Sequence, residues 1–567
     1  MERYGEDMNS TTKKTFWIMF FVLILGTFLR FIFLDKPDGL WNDEYISWHI
    51  ASLPIGANFF KEIFAQCHMP FYYFYLKFFI HFFGSSDLLL RLTSLFAGIL
   101  SIFGMFFVGQ ELKNEKLGVL CASVGAISSF LIYYSQEVRM YEILFFISAM
   151  SMLFTLKLVK NPKLSTCIFY IISNFLILFT HTIGFVFVLF NMIFVSYSLL
   201  KLDKEVNKGY KKTVKIVWIS MIALLILCSP LLFKIFLTKS FSQWWGHFTF
   251  SKIGFLITDY FSPILINLTN APDNFFFNFG RDFIIFELLP SLIALFGIAK
   301  ALKTKKTEIL GLFYVSIATI SILAIAAIFG KLVFITKYSI EIYPILIAIM
   351  GYGLLEIKNK HWRQFLIFSF CFLNLFYIIS NPNSAPKMHR AEGHKIVADI
   401  LKNAQLKPGD YIIINYYPQN KFEKYFDFKD YNVIAFNKAN FVDYISTEPY
   451  LEVLKKGKEL YQPIFSSEDN KHFEAKINAE LFSKLKPNQK VTIIILNTVD
   501  IYSPVQVKAI ATNEKEYKKT PLMFLAFSYL NNQLLKECME KLQITKGESK
   551  GSWAAVTFTK QQTPAKP

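Results

Sequence analysis

The chain reads as a polytopic α-helical membrane protein followed by a water-soluble α/β domain, and three observations predict it. Apolar residues fill 53% of 567 positions, with 63 Phe and a mean hydropathy of +0.37, above an ordinary soluble composition. Apolar runs of about 20 residues, the length that crosses a bilayer, recur between residues 16 and 381. From about residue 386 the composition turns polar and Lys-rich, leaving roughly 180 residues, a common domain size. The predicted division is 1–385 for the membrane part and 386–567 for the soluble part.

The net charge of +18 does not point to nucleic acid, because most Lys residues sit in short clusters between apolar runs. Six cysteines occur singly with no Cys-x-x-Cys pair, and Cys121, Cys167, Cys228 and Cys371 fall within apolar runs. That pattern fits small buried hydrophobes, not a disulfide or metal framework. The first run, 16–34, lacks a small-residue cleavage site and reads as a retained first helix.

Runs long enough to span lie near 16–34, 88–110, 117–134, 140–158, 166–180, 183–200, 214–237, 283–300, 309–330, 338–355 and 362–381. The segment 70–83 is short and carries Lys77 and His81. Whether it spans decides the side on which every later loop falls. With 70–83 lying along the interface, one side collects Lys13 and Lys14, Lys113 and Lys116, Lys157 to Lys163, Lys201 to Lys215, Lys300 to Lys306, and Lys358 to Arg363. The other side gets only Arg139, Lys331 and Lys337 in its short loops. Cytoplasmic loops collect Lys and Arg, so about eleven spans are predicted, with the N-terminus inside and the soluble domain outside the cytoplasm.

This topology sends Asp43, Glu44, His68, Glu137, Arg139, His181 and Lys337 to one external face. The long external stretches 35–87 and 238–282 mix aromatics with charges, as at Trp244, Trp245 and Phe275-Phe276-Phe277, and suggest surface helices that shape an entrance. In the soluble part, His394–Asn403 and Leu522–Leu542 read as helices. Tyr411–Ile414, Val491–Leu496 and Trp553–Phe558 read as strands of an α/β layer. It holds no Gly-rich phosphate loop and no nucleophile elbow.

Each motif has a plain alternative. An acidic pair such as Asp43-Glu44 just after a helix is usually solvated, a lone His68 bonds a helix start, and Arg91 suits a snorkelling rim residue. Glu137 and Arg139, inside Tyr133-Tyr134-Ser135-Gln136-Glu137-Val138-Arg139-Met140-Tyr141, could simply pair across a tight hairpin. Thr180-His181-Thr182 interrupts a long apolar stretch, and Lys337-Tyr338 precedes Tyr343-Pro344.

Together these strings resemble the GT-C integral membrane glycosyltransferases, in the bacterial branch similar to protein O-mannosyltransferases and to lipid A and lipopolysaccharide glycosyltransferases. The resemblance spans roughly residues 15–350. Asp43-Glu44 matches the Asp-Glu pair of a first external loop, and His68-Met69-Pro70-Phe71 matches a His-Pro-Pro-Leu-like string imperfectly. Ser135 to Tyr141 matches a Ser-Gln-Glu-x-Arg-x-Tyr string fully, Thr180-His181 matches a Thr-His pair, and Lys337-Tyr338 replaces a late Arg-Tyr. Lys for Arg keeps the charge but loses the two-pronged guanidinium grip on a phosphate.

The resemblance implies a polyprenyl-phosphate sugar donor, with an envelope glycan, lipid or protein as acceptor. It also implies an active site and soluble domain on the extracytoplasmic side of the cell membrane. A base must take the acceptor hydroxyl's proton, and cations must hold the departing lipid phosphate. Asp43 is then the base, Glu44 orients it or a sugar hydroxyl, and Arg139 and Lys337 with His181 meet the phosphate. Glu137, Tyr338 and His68 complete the donor site. Asp43, Glu44 and Glu137 could converge on a hard divalent cation, but the tight hairpin offers one carboxylate beside an Arg, so no cofactor is expected. The rival class is a transporter or lipid flippase, which places its polar groups near the bilayer midplane.

Overall fold

The computed structural model describes residues 2–66, 68–206, 209–237, 249–265, 283–329, 334–382, 384–387, 394–416, 422–437, 467–496, 533–550 and 553–560. Trp244, Trp245, Phe275–Phe277, Lys208, Lys331 and the first part of the predicted helix 522–542 lie outside them. By internal contact the chain forms two units, Met1–Lys36 with Ile46–His389, and Pro37–Tyr45 with Arg390–Pro567.

The first unit is helical. Its helices are α1 (Glu2–Phe31), α2 (Asn42–Ser52, shared with the second unit), α3 (Ala57–Ala65), α4 (Phe71–Phe83), α5 (Asp87–Leu112), α6 (Glu115–Ile127), α7 (Ser129–Ser135) and α8 (Tyr141–Lys160). They continue with α9 (Leu164–Thr180), α10 (Gly184–Val206), α11 (Lys211–Leu237), α12 (Ser251–Phe261), α13 (Leu289–Leu302), α14 (Thr307–Ile328), α15 (Tyr343–Leu355) and α16 (Lys360–Ser380). Among the described residues nine helices are long and apolar enough to cross a membrane, ten if the bent pair α6–α7 is one span, and the chain is a multi-pass membrane protein. The predicted number of about eleven also counts α9, an apolar helix of 17 residues. At 1.5 Å per residue, α4 reaches only about 20 Å against a hydrocarbon core of about 30 Å. It is not among the candidate spans. Its Lys77, a poor residue for a span, donates to the carbonyls of Ala51 (3.0 Å) and Leu53 (2.5 Å) and so caps the end of α2.

The 60° bend between α6 and α7 has a local cause and a distant support. Ser128 leaves the helical region (φ −66°, ψ 116°) and its hydroxyl accepts from Leu131 N, starting a new helix. Arg30, fully buried on α1, then supplies donors to the broken end. Its guanidinium bonds the carbonyls of Gly125 (2.8 Å), Ala126 (2.9 Å) and Gly26 (3.1 Å), and Ser135 Oγ (3.0 Å). Gln136 returns the tie by donating to the carbonyls of Arg30 (3.0 Å) and Ile32 (2.7 Å) where α1 ends. Gly98 leaves the space for this, since a Cβ there would stand 2.5 Å from Ser135 Oγ and 2.8 Å from Arg30 Nε.

Three loops that the charge distribution assigns to one side meet at one end of the bundle. Lys113 pairs with Glu356 (2.9 Å), and Lys113 and Lys306 lie 4.9 and 5.3 Å from the Tyr352 ring centroid. The bond from Lys113 draws the Glu356 carboxyl below the ordinary carboxylate range.

The second unit holds a five-stranded sheet of β1 (Tyr411–Tyr416), β2 (Asn432–Asn437), β3 (Lys490–Leu496), β4 (Gln543–Lys550) and β5 (Trp553–Thr559), ordered β2-β1-β3-β5-β4. β2, β1 and β3 run parallel and β3-β5-β4 antiparallel. The helix His394–Asn403 covers it, packing Ile396, Val397, Ile400 and Leu401 on Ile412, Ile414 and Ile494. The predicted α/β layer is there, as are strands at 411, 491 and 553, and residues 533–541 are helical. β2 and β4 are additions to the predicted set, since β4, Gln-Ile-Thr-Lys-Gly-Glu-Ser-Lys, has the polar make-up of a protected edge and no apolar alternation. The segment 37–45 joins this unit. Leu40 N donates to Tyr425 OH (3.0 Å), His394 N to Leu40 O (3.3 Å), and the Tyr45 and His394 rings meet edge to face at 5.2 Å.

Gly98→Ala is expected to lower stability by about 1–3 kcal/mol through overpacking against Arg30 and Ser135. Gly56→Ala, where an added Cβ meets nothing within 4 Å, is the control. Thermal unfolding of both variants in detergent checks this, and equal midpoints would show that the Arg30 tie tolerates displacement.

Candidate functional site

Four segments distant in sequence bring cations and aromatic rings together in the first unit. The turn after α7 is held by backbone bonds from Gln136 N to Tyr133 O and from Arg139 N to Glu137 O (2.8 Å). The second closes a γ-type turn around Val138, and Ser94 Oγ donates to the Glu137 carbonyl (2.5 Å). Arg139 leaves this turn 5% exposed, its Nη1 donating to Ser47 Oγ on α2 (3.3 Å) and its Nη2 lying 3.4 Å from His68 Nε2.

His68, ahead of α4, places its Nδ1 2.5 Å from Tyr73 OH. With Nε2 accepting from Arg139, Nδ1 carries the proton and donates to Tyr73, so the ring is neutral. Burial, and then Arg139, His181 and Lys337, hold its pKa well below the ordinary histidine value. His68 is thus a bridge between Arg139 and α4, not a backbone-bonding helix start.

His181 ends α9 in extended conformation (φ −144°, ψ 131°), and Gly184 N returns to its carbonyl (3.1 Å). Lys337 lies in the 3₁₀ segment Thr336–Ile342 that leads into α15. That segment is fixed by Tyr260, whose hydroxyl donates to Thr336 O (3.1 Å), and by Thr336 Oγ1 donating to Asp259 (2.6 Å). Tyr260 stacks on Tyr343 at 4.3 Å. The 7%-exposed Lys337 ammonium sits 5.2 Å from the Tyr141 ring centroid and 5.6 Å from that of Tyr338, while Arg139 approaches Tyr141 at 5.9 Å. The His181 ring lies 6.1 Å from Tyr141 and 5.8 Å from Tyr338.

The structure therefore joins His68, Arg139, His181, Lys337 and Tyr338, with Tyr141 at their centre. Glu137 lies in the same turn with its side chain 3% exposed. The matched string divides in two, since Ser135 and Gln136 anchor α1 whereas Arg139 and Tyr141 enter the cluster. Asp43 and Glu44 stand in the first turn of α2, in the second unit. Glu44 Oε2 accepts from Trp41 N (3.2 Å), the returning half of a capping box, and is 1% exposed. Asp43 is partly exposed. Arg91 is 1% exposed, a buried residue where the sequence suggested a snorkelling one. Two residues were missed. Arg30 was absorbed into the first apolar run, and Glu341 into the span beginning at 338, although charges inside such runs are rare enough to mark both. Among the described residues no group of three or more His, Cys, Asp or Glu is arranged to hold a metal ion.

No protein-family model and no curated protein matches the chain. Solved structures do. ArnT from Cupriavidus metallidurans bound to undecaprenyl phosphate matches at 11% identity and a TM-score of 0.50, over 96% of this chain and 98% of that one. The apo form of the same protein matches at 11% identity and 0.48, over 97% and 98%. The oligosaccharyltransferase AglB from Archaeoglobus fulgidus, in complex with an inhibitory peptide and a dolichol-phosphate, matches at 12% and 0.45, over 97% of this chain and 75% of that one.

A histidine held neutral in the folded state and protonated near pH 6.5 when unfolded makes stability fall as pH drops below 6.5. The slope is up to about 1.4 kcal/mol per pH unit until the folded pKa is reached. His68→Gln is expected to flatten the fall of unfolding midpoint between pH 7 and 5 relative to wild type. Parallel curves would show that His68 titrates normally in the folded protein.

Proposed function

On the GT-C fold that this chain shares with the undecaprenyl-phosphate-bound ArnT structure, we propose a membrane glycosyltransferase. It moves a sugar from a polyprenyl-phosphate carrier to an acceptor hydroxyl on the extracytoplasmic face of the cell membrane. The observation that carries this is the convergence of Arg139 and Lys337 on one Tyr141 ring, 5.9 and 5.2 Å from its centroid, with His68 and His181 beside them. Two buried cations, one of them oriented by His68, suit a dianionic leaving group, whose charge grows as the sugar–phosphate bond breaks.

Arg139, steadied by Ser47 and His68, and Lys337, steadied by two aromatic faces, hold the lipid phosphate through the displacement. A compact ammonium at 337 binds the phosphate as a point charge, and the guanidinium at 139 supplies direction. Asp43 is the base. It stands in the first turn of α2. Glu44, by bonding Trp41 N, fixes the start of that helix and hence the direction of Asp43. Glu137 and Tyr338 border the donor. If the donor is a β-linked phosphosugar, a single displacement yields an α-glycoside. No step draws on a cofactor. The acceptor is an envelope glycan, lipid or protein.

Transfer from polyprenyl-phosphate sugars to envelope extracts tests the proposal. Asp43→Asn should lose at least about a thousandfold in rate with donor binding retained, and Lys337→Ala should weaken binding of undecaprenyl phosphate about tenfold or more. Near-normal transfer by Asp43→Asn removes it from the base role, and movement of lipid across vesicles with no product hands the protein to the flippase class.

A further inference from the structure

Glu341 is the charged residue of the cluster that the phosphate chemistry leaves unused. It is 1% exposed, and neither carboxylate oxygen has a hydrogen-bond partner among the described residues. The Nδ1 of the neighbouring His181 lies 3.7 Å from Oε1, too far for a hydrogen bond, and that nitrogen is also without a hydrogen-bond partner among the described residues. A buried carboxylate with empty acceptor positions is costly unless a ligand fills them.

The surroundings of this carboxyl group are polar and aromatic. Gly184 opens α10 beside it: a Cβ there would stand 2.5 Å from Ile177 Cγ2, which glycine accommodates, and in ordinary contact with Oε1 at 3.5 Å. The N-terminal end of α10 favours negative charge. Lys337 precedes Glu341 by four residues in the same 3₁₀ segment, and the rings of His181, Tyr338 and Tyr141 are the adjoining walls. Cation, aromatic faces and an unfilled carboxylate follow one another as phosphate, sugar ring and sugar substituents do in a glycosyl phosphate.

We infer that Glu341, with His181, is the sugar subsite of the donor pocket, gripping two adjacent O–H or N–H groups of the sugar ring while the Tyr338 and Tyr141 rings face its C–H surface. This rests on the glycosyltransferase reading above. Glu341 accepts from the sugar and has no part in proton transfer at the anomeric carbon. A sugar lacking such a donor pair leaves the carboxylate unfilled and is discriminated against, because a buried acceptor without a partner is penalised more than a made bond is rewarded.

The test is binding to purified full-length protein, wild type and Glu341→Gln, of undecaprenyl phosphate alone and of a panel of undecaprenyl-phosphate sugars. The panel includes hydroxyl-only, amino and deoxy members. The expected result is that wild type binds one or more sugar-bearing lipids more tightly than the bare lipid. Glu341→Gln should lose about tenfold or more for those while binding the bare lipid as wild type does, which also shows the variant to be folded. Equal affinities of wild type and variant for every ligand would overturn the inference, as would equal weakening for sugar-bearing and bare lipid, or a wild type that binds no sugar-bearing lipid better than the bare one. Failure of wild type to bind even undecaprenyl phosphate would instead remove the function on which the inference rests.

Discussion

A buried arginine is the constraint on which the membrane unit turns. Removing a guanidinium from water costs several kcal/mol, and Arg30 offsets this through three backbone carbonyls and Ser135, which surround it. Two of those carbonyls, Gly125 and Ala126, stand at the broken end of α6. The bend supplies the acceptors that Arg30 needs, and Arg30 supplies the donors that the bend needs. α7 must then leave α6 at 60°, and the turn that follows it delivers Arg139. A neutral side chain at 30 would leave orphan carbonyls inside a bilayer, where no water replaces the donor.

Much of this architecture was legible in the sequence, and for identifiable reasons. Spans are written in composition, since hydrocarbon tolerates little else over 20 residues. The shortness of 70–83 and its Lys77 marked α4 as something other than a span. The grouping of loops by charge agrees with the meeting of Lys113, Lys306 and Glu356 at one end of the bundle. The residues around Tyr141 were named individually because polar residues in apolar surroundings stand out.

What stayed hidden depends on distance in the chain. Nothing local distinguishes Arg30 from a charge at the end of a helix, or Glu341 from one at the start of another. The double character of Ser135-Gln136-Glu137-Val138-Arg139, half anchor to α1 and half part of the cluster around Tyr141, appears only once α1 is beside it. β4 was invisible because an edge strand that avoids aggregation looks polar. The attachment of residues 37–45 to the second unit rests on single contacts, such as Leu40 N to Tyr425 OH, that have no periodic signature.

That attachment bears on how the protein can be dissected. The chain passes between the two units at 36/37, 45/46 and 389/390, so no single cut separates them. Cleavage near residue 386 would detach the sheet and with it the hydroxyl of Tyr425, the amide of His394 and the ring against which Tyr45 rests. The nine residues from Pro37 to Tyr45 would remain on the membrane fragment without the surface they fold against. Truncations made to find the role of the second unit would therefore also remove the surface against which Pro37–Tyr45, Asp43 among them, fold.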